Sequence, residues 1–366
     1  MSMRRQPLLG IIAVLLIIAI SWAFIALLDW PFFRDWISFY LMCTIPFTFV
    51  VGAFWRAEHP ASIARLPQPW RGLSFLVLAL VVGAVFAAVL LFTVGGGVTP
   101  PTPNLAQCVI ISVPFSFWLA VMWGGWPFTR IRSRLAGGIL LLLSAYVIAA
   151  IVFRLLFNYE FLKGAPVYVA SLDPQGPFDA WIALVYIVTC MASAFLIMHF
   201  GLWPFTTKPR LMVQPVLGLV WTISAMAISA IATYIGIHIL GMAPPTFLTT
   251  VTVPFLFGSI VVLITLEGSL FPTMKQPIRG VVSAVTAAII GVALARLYVA
   301  ASGALSGEVP WGAPSFEGEV WLASALLAVT FPFLAYHADF FGMWPLRARE
   351  DASADLLAES AADVPS

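Results

Sequence analysis

Charge is nearly absent from this chain: Asp, Glu, Lys and Arg make up 9% of its 366 residues, and their formal balance is +2. So little charge cannot solvate a soluble fold of this size, and so small a surplus offers nucleic acid no basic surface. Cysteine is equally scarce. Cys43, Cys108 and Cys190 all sit in apolar runs, and no pair has zinc-site or haem-attachment spacing. A disulfide scaffold is thereby excluded, and the three thiols read as small buried hydrophobes. Long polar stretches are missing too. The longest segments between apolar runs are 158–177, 303–318 and the tail after Trp344, which leaves no room for a folded extramembrane domain. The glycine run Gly95-Gly96-Gly97 lacks the Lys-Ser/Thr of a phosphate-binding loop and is read as a flexible turn.

What the chain has is hydrocarbon-compatible sequence: 61% hydrophobic residues and a mean hydropathy of +1.01. A helix needs roughly 20 apolar residues to cross about 30 Å of hydrocarbon. Such runs fall at 8–28, 36–55, 72–94, 105–123, 136–157, 178–201, 216–240, 246–266, 280–301 and 319–343. The expected fold class is therefore an all-α polytopic integral membrane protein of about ten transmembrane helices. Its surroundings are a lipid bilayer.

Lys and Arg collect on the cytoplasmic side of short loops. Here 14 of the 18 lie at the N-terminus, in alternate loops and after Trp344, while the opposite loops are net acidic. Both termini are expected to be cytoplasmic, in the plasma (inner) membrane of a bacterium. Residues 1–26 resemble a secretory signal, with Arg4 and Arg5 ahead of an apolar core. The opening motif of this helix recurs deep in the chain, so the helix is read as retained. Residues 347–366 read as a disordered acidic cytoplasmic tail.

That motif is QPxxG, found at Gln6–Gly10, Gln68–Gly72, Gln214–Gly218 and Gln276–Gly280, with a degenerate copy at 133–137. Each copy opens an odd-numbered helix, where proline costs no hydrogen bond. Even-numbered helices carry a hydroxyl residue two before a proline, at Pro46, Pro114, Pro254 and Pro332, and Thr189 with Met191 fills the remaining slot. These prolines are expected to kink their helices. Trp-Pro pairs at Trp126, Trp203 and Trp344 close helices, 13 residues after the central slot each time. The pattern predicts five tandem two-helix repeats of parallel topology: 1–60, 61–130, 131–208, 209–274 and 275–346. Inverted-repeat transporters do not match it.

Ionisable groups inside a bilayer are costly and mark function. His199, Glu267, His337 and Asp339 lie at similar depth near the cytoplasmic ends of their helices, where they can serve as a buried relay. Two imidazoles with a carboxylate are also a known ligand set, so His199, Glu267 and His337 are metal candidates. His337 and Asp339 stand about 200° apart on a helix and cannot both face one ion. Arg154 and Arg296 lie near the outer ends. They can hold an anion or, the favoured reading, salt-bridge Asp179 and Glu319.

No catalytic constellation and no defined cofactor emerge from these residues, and the balance leans away from an enzyme. The leading expectation is a permease for a small solute, moving through a cavity between proline-kinked helices. A membrane subunit holding a metal, haem or quinone is the alternative, followed by a structural scaffold. Homo-oligomers or partner membrane subunits are compatible with all three. Single cysteines introduced after Gly95 and after Trp126 are expected to label from opposite faces of the membrane. Labelling of both from one face would overturn the topology.

Overall fold

A computed structural model of the chain describes residues 6–347. Arg4, Arg5 and the expected tail beyond Arg347 lie outside the described residues. Ten helices are long and apolar enough to span a membrane: α1 (Leu8–Ala26), α2 (Trp30–Phe54), α3 (Trp70–Thr93), α4 (Pro103–Met122), α5 (Arg134–Leu156), α6 (Ala180–His199), α7 (Val216–Ile239), α8 (Pro244–Thr265), α9 (Ile278–Ser306) and α10 (Glu317–Phe340). The chain is an all-α polytopic integral membrane protein. The largest boundary differences are at α2, which starts six residues before the expected 36, and α9, which runs five past 301. At α2 the carboxylate of Asp29 accepts the Phe32 N–H at 3.1 Å, starting the helix ahead of the apolar run.

Helix starts are satisfied in two ways. The hydroxyls of Thr102 and Ser133 and the carboxylate of Asp179 cap α4, α5 and α6. At α1, α3, α7 and α9 the cap is the glutamine of QPxxG. Its side-chain oxygen accepts the N–H of Gly10, Gly72, Gly218 or Gly280 at 3.0–3.2 Å. Four of the even helices end on a widened turn, in which an N–H reaches five residues back, from Trp55 to Val50, Trp123 to Trp118, Leu266 to Val261 and Phe341 to Tyr336, while α6 stays α-helical to His199. Two consecutive left-handed residues then break each helix: Arg56-Ala57, Gly124-Gly125, Gly201-Leu202, Glu267-Gly268 and Gly342-Met343.

The glutamine amides join these two kinds of end. Gln6 donates to the Thr265 carbonyl of α8, Gln68 to Phe340 of α10, Gln214 to Met122 of α4 and Gln276 to His199 of α6, at 2.9–3.2 Å. At the fifth junction the Trp55 indole donates to the Arg134 carbonyl at 2.9 Å, joining α2 to α5. The starts of odd helices and the ends of even helices therefore meet at one end of the bundle.

The ten helices form two shells. Over their most apolar 18 residues the even helices are 61–72% buried and the odd helices 28–44%. Among the even ones, α2 packs on α4, α4 on α6, α6 on α8, α8 on α10 and α10 back on α2, which closes an inner ring of five. Each odd helix lies in an outer groove of that ring: α1 between α8 and α10, α3 between α10 and α2, α5 between α2 and α4, α7 between α4 and α6, and α9 between α6 and α8. Outer faces are apolar for lipid. Val77, Val81, Val85 and Val89 of α3 repeat every four residues at 50–59% exposure.

Inner faces of the outer helices are small. Helix α9 buries Gly280, Ser283, Ala284, Ala287, Gly291 and Ala295, and this lets its backbone reach α8. A Cβ on Gly291 would overlap the Pro254 carbonyl oxygen, and one on Gly258 the Ala287 carbonyl oxygen. A Cβ on Gly303, further along α9, would meet nothing. Gly291→Ala is therefore expected to cost about 1–3 kcal/mol, read as a lowered unfolding midpoint in detergent, with Gly303→Ala unchanged or raised. Equal midpoints for the two variants would contradict this close approach.

Candidate functional site

The inner ring encloses a cavity of about 210 Å³ on its axis, lined from all five even helices. Its walls come from their C-terminal halves. Taking the carbonyl that receives a glutamine amide as the common mark, the residue just before it is Val121 in α4, Met198 in α6, Ile264 in α8 and Asp339 in α10. Ala53 occupies that place in α2. All five line the cavity. One layer thus holds a single carboxylate among four apolar side chains.

Aromatic rings stand above this layer. Phe49, Phe117, Phe195 and Phe331 line the cavity, with centroids 5.7 Å apart for Phe49–Phe117, 6.1 Å for Phe49–Phe331 and 5.0 Å for Phe117–Phe195. From Phe331 to Asp339 is about 12 Å along the helix. The other polar side chains of the lining are Thr48, whose hydroxyl donates to the Ile45 carbonyl at 2.7 Å, and Thr265. Asp339 has no hydrogen bond or ion pair among the described residues. Room for its carboxylate comes from Gly52, where a Cβ would collide with it.

The four candidate relay groups do not converge. Of the four, Asp339 faces the axis. His199 ends α6 and clasps its neighbours, Nδ1 lying 2.7 Å from the Ser283 hydroxyl of α9 and Nε2 3.0 Å from the Ser259 hydroxyl of α8. It borders a separate cavity of about 120 Å³ with Gln276, Arg279 and Ser283. Glu267 sits two residues beyond the end of α8, at a left-handed position, and pairs with Arg347 at 2.7 Å. The match between His199 and Glu267 came from counting back from Trp203 and Phe271. Measured from the bonded carbonyl the two differ by two residues, because the closing aromatic varies in its distance from the helix end. His337 is buried with Nε2 unpartnered and does not line the axial cavity, as its angular separation from Asp339 predicts. Among the described residues no three of His, Cys, Asp and Glu lie close enough to hold a metal ion.

The outer arginines depart from the favoured reading. Arg154 and Arg296 are exposed, and neither forms an ion pair among the described residues. Their intended partners are engaged elsewhere: Asp179 caps α6, and Glu319 accepts the Gly312 N–H at 3.1 Å. A backbone donor nearby in sequence satisfies each carboxylate without ordering a long arginine side chain. In the same outer region Asp173 accepts the Tyr159 N–H and the Tyr168 hydroxyl, and the Tyr159 hydroxyl donates to Gln107 at 2.7 Å. Burial pushes the Tyr159 phenol well above its ordinary pKa, keeping that donor protonated.

Around the central prolines, donors arrive from facing helices. The Tyr146 hydroxyl of α5 donates to the Cys43 carbonyl at 2.6 Å, three residues before Pro46. Thr44 bonds Tyr336, Thr330 bonds Tyr298 at 2.6 Å, and Thr189 bonds Thr252 at 2.9 Å. These tyrosines and the motif glutamines escape a reading of sequence that looks for charge. The recurrence of Gln before Pro is the signal that points to them.

What these features define is a multi-pass membrane protein with an axial, acid-bearing cavity. Comparison with known protein families, curated proteins and solved structures finds no match.

His199→Leu is expected to cost about 1–3 kcal/mol, because it breaks the imidazole's bonds to α8 and α9 and leaves the buried Ser283 hydroxyl without its partner, whereas Glu267→Gln loses an exposed pair worth less than about 1 kcal/mol. Unfolding midpoints of the two purified variants check this. A larger loss for Glu267→Gln would reverse the assigned roles.

Proposed function

We propose that this protein is a permease that moves a small solute through the axis of its inner helix ring. The observation that carries this reading is the axial cavity, to which all five even helices contribute and in which an unpaired carboxylate stands. A scaffold has no need of such space, since apolar side chains fill a helix bundle more favourably than a void does. A ring of helices with widened turns also has places where its turns can change pitch.

The same reading takes the chain as five tandem helix pairs of one orientation in a bacterial inner membrane, with both termini cytoplasmic. Support comes from the four glutamine clasps, the left-handed residue pair after each even helix and the clustering of Lys and Arg near those ends. In this arrangement the cavity lies toward the cytoplasm. Five equivalent pairs suggest a central conduit rather than two rocking halves.

Purified protein in liposomes is expected to raise the permeability to small polar solutes above that of protein-free vesicles. Met198→Trp, which places a large ring in the cavity, is expected to return it to the protein-free level while the variant elutes as wild type by size exclusion. Wild-type flux in that variant, or none in the wild type across a panel of solutes of both charges, would sink the proposal.

A further inference from the structure

The axial cavity carries a more specific reading, which rests on the permease proposal for its transport role and on the cavity alone for its binding role. We infer that the cavity binds a small organic ammonium ion, with the Asp339 carboxylate as its counter-charge and the phenylalanine cluster as its wall.

Asp339 lies inside the helix ring with no cation among the described residues. A carboxylate removed from water without a partner is costly, and chains that keep one place it where a ligand or ion reaches it. The chain also makes space for this particular carboxylate. Gly52 stands where any side chain would displace it, so the acid and the gap beside it form one feature built from two helices.

The rest of the lining decides what kind of cation fits. A hard cation such as calcium or magnesium takes six or more oxygen ligands. Here the side-chain oxygens are those of Asp339, Thr48 and Thr265, four atoms in all. The rest of the lining is apolar, with the Met198 thioether and the rings of Phe49, Phe117 and Phe195, which stand three or four residues from the layer of Asp339. Aromatic faces attract a cation through their negative quadrupole, and they suit one whose charge is spread over alkyl carbons. Space sets the size, the cavity measuring about 210 Å³. That admits ions of a few heavy atoms, from ethylammonium to tetramethylammonium. Access is short, because Asp339 is one residue from the end of its helix.

The test is binding to the full-length purified protein in lipid nanodiscs, by titration calorimetry. The probes are ethylammonium and tetramethylammonium chloride, with neopentane-shaped neutral tert-butanol and sodium chloride as controls. Saturable binding is expected for one or both ammonium ions and for neither control. Asp339→Asn is expected to weaken it at least about tenfold, and Phe117→Leu about two- to fivefold. Gly52→Ala, which leaves the charge in place, is expected to weaken it as well by moving the carboxylate. If Asp339→Asn does not fold, Phe117→Leu and Gly52→Ala still decide the matter. Equal binding of tert-butanol, binding of sodium alone, or affinity unchanged in these variants would overturn the inference. Ammonium binding without any flux in liposomes would overturn the permease and leave the site standing. Flux of neutral solutes without ammonium binding would do the reverse.

Discussion

Backbone carbonyls at the ends of the even helices are the constraint from which the rest of this structure follows. In hydrocarbon an unsatisfied polar group costs several kcal/mol, and the last turn of any helix leaves four carbonyls without an internal partner. The chain answers with one residue that acts twice. A glutamine caps the first turn of its own odd helix through its oxygen and closes the last turn of an even helix through its amide. Because the amide reaches a helix from a distant part of the chain, it also chooses neighbours. Thr265 is reached by Gln6 and Phe340 by Gln68, so the order of helices around the bundle follows from where the donors sit.

Division into two shells has a second cause. Odd helices carry glycine and alanine on one face and branched apolar residues on the other, which suits close backbone contact inside and lipid outside. Even helices carry hydroxyl residues, large aromatics and, in all but α6, a proline. Midway along the bundle the hydroxyls of Tyr146, Tyr298 and Tyr336 bond the Cys43 carbonyl, Thr330 and Thr44. Lower down, toward the glutamine clasps, no such group fills the axis and the cavity remains. Asp339 differs from its four counterparts, Ala53, Val121, Met198 and Ile264, in carrying charge, and this breaks the near five-fold character of the ring at one place.

The transmembrane helices, their number and most of their ends are legible in the sequence because each depends on local properties: twenty apolar residues, a proline, a capping side chain. So is a short set of ionisable groups near the helix ends, although Glu267 among them is exposed rather than buried. The candidate site is legible only in part. Asp339 stands in that set beside His199, Glu267 and His337, and nothing local separates them, since depth along a helix is a matter of counting whereas direction around the axis is not. One residue of change in register turns a side chain by about 100°. His199 turns outward to two serines, and Glu267 leaves its helix altogether.

By itself, then, the sequence determined that this is a ten-helix membrane protein with almost no charge to spend, and it marked the recurring motifs at the helix ends and centres. Only the tertiary structure decided that the even helices form the inner ring, that the motif glutamines tie distant helices together, and that of the four candidate groups the Asp339 carboxylate alone faces the axis. The physical reason is that solubility in hydrocarbon is set by composition over a single segment. The facing of a side chain is set by which other helices pack around it.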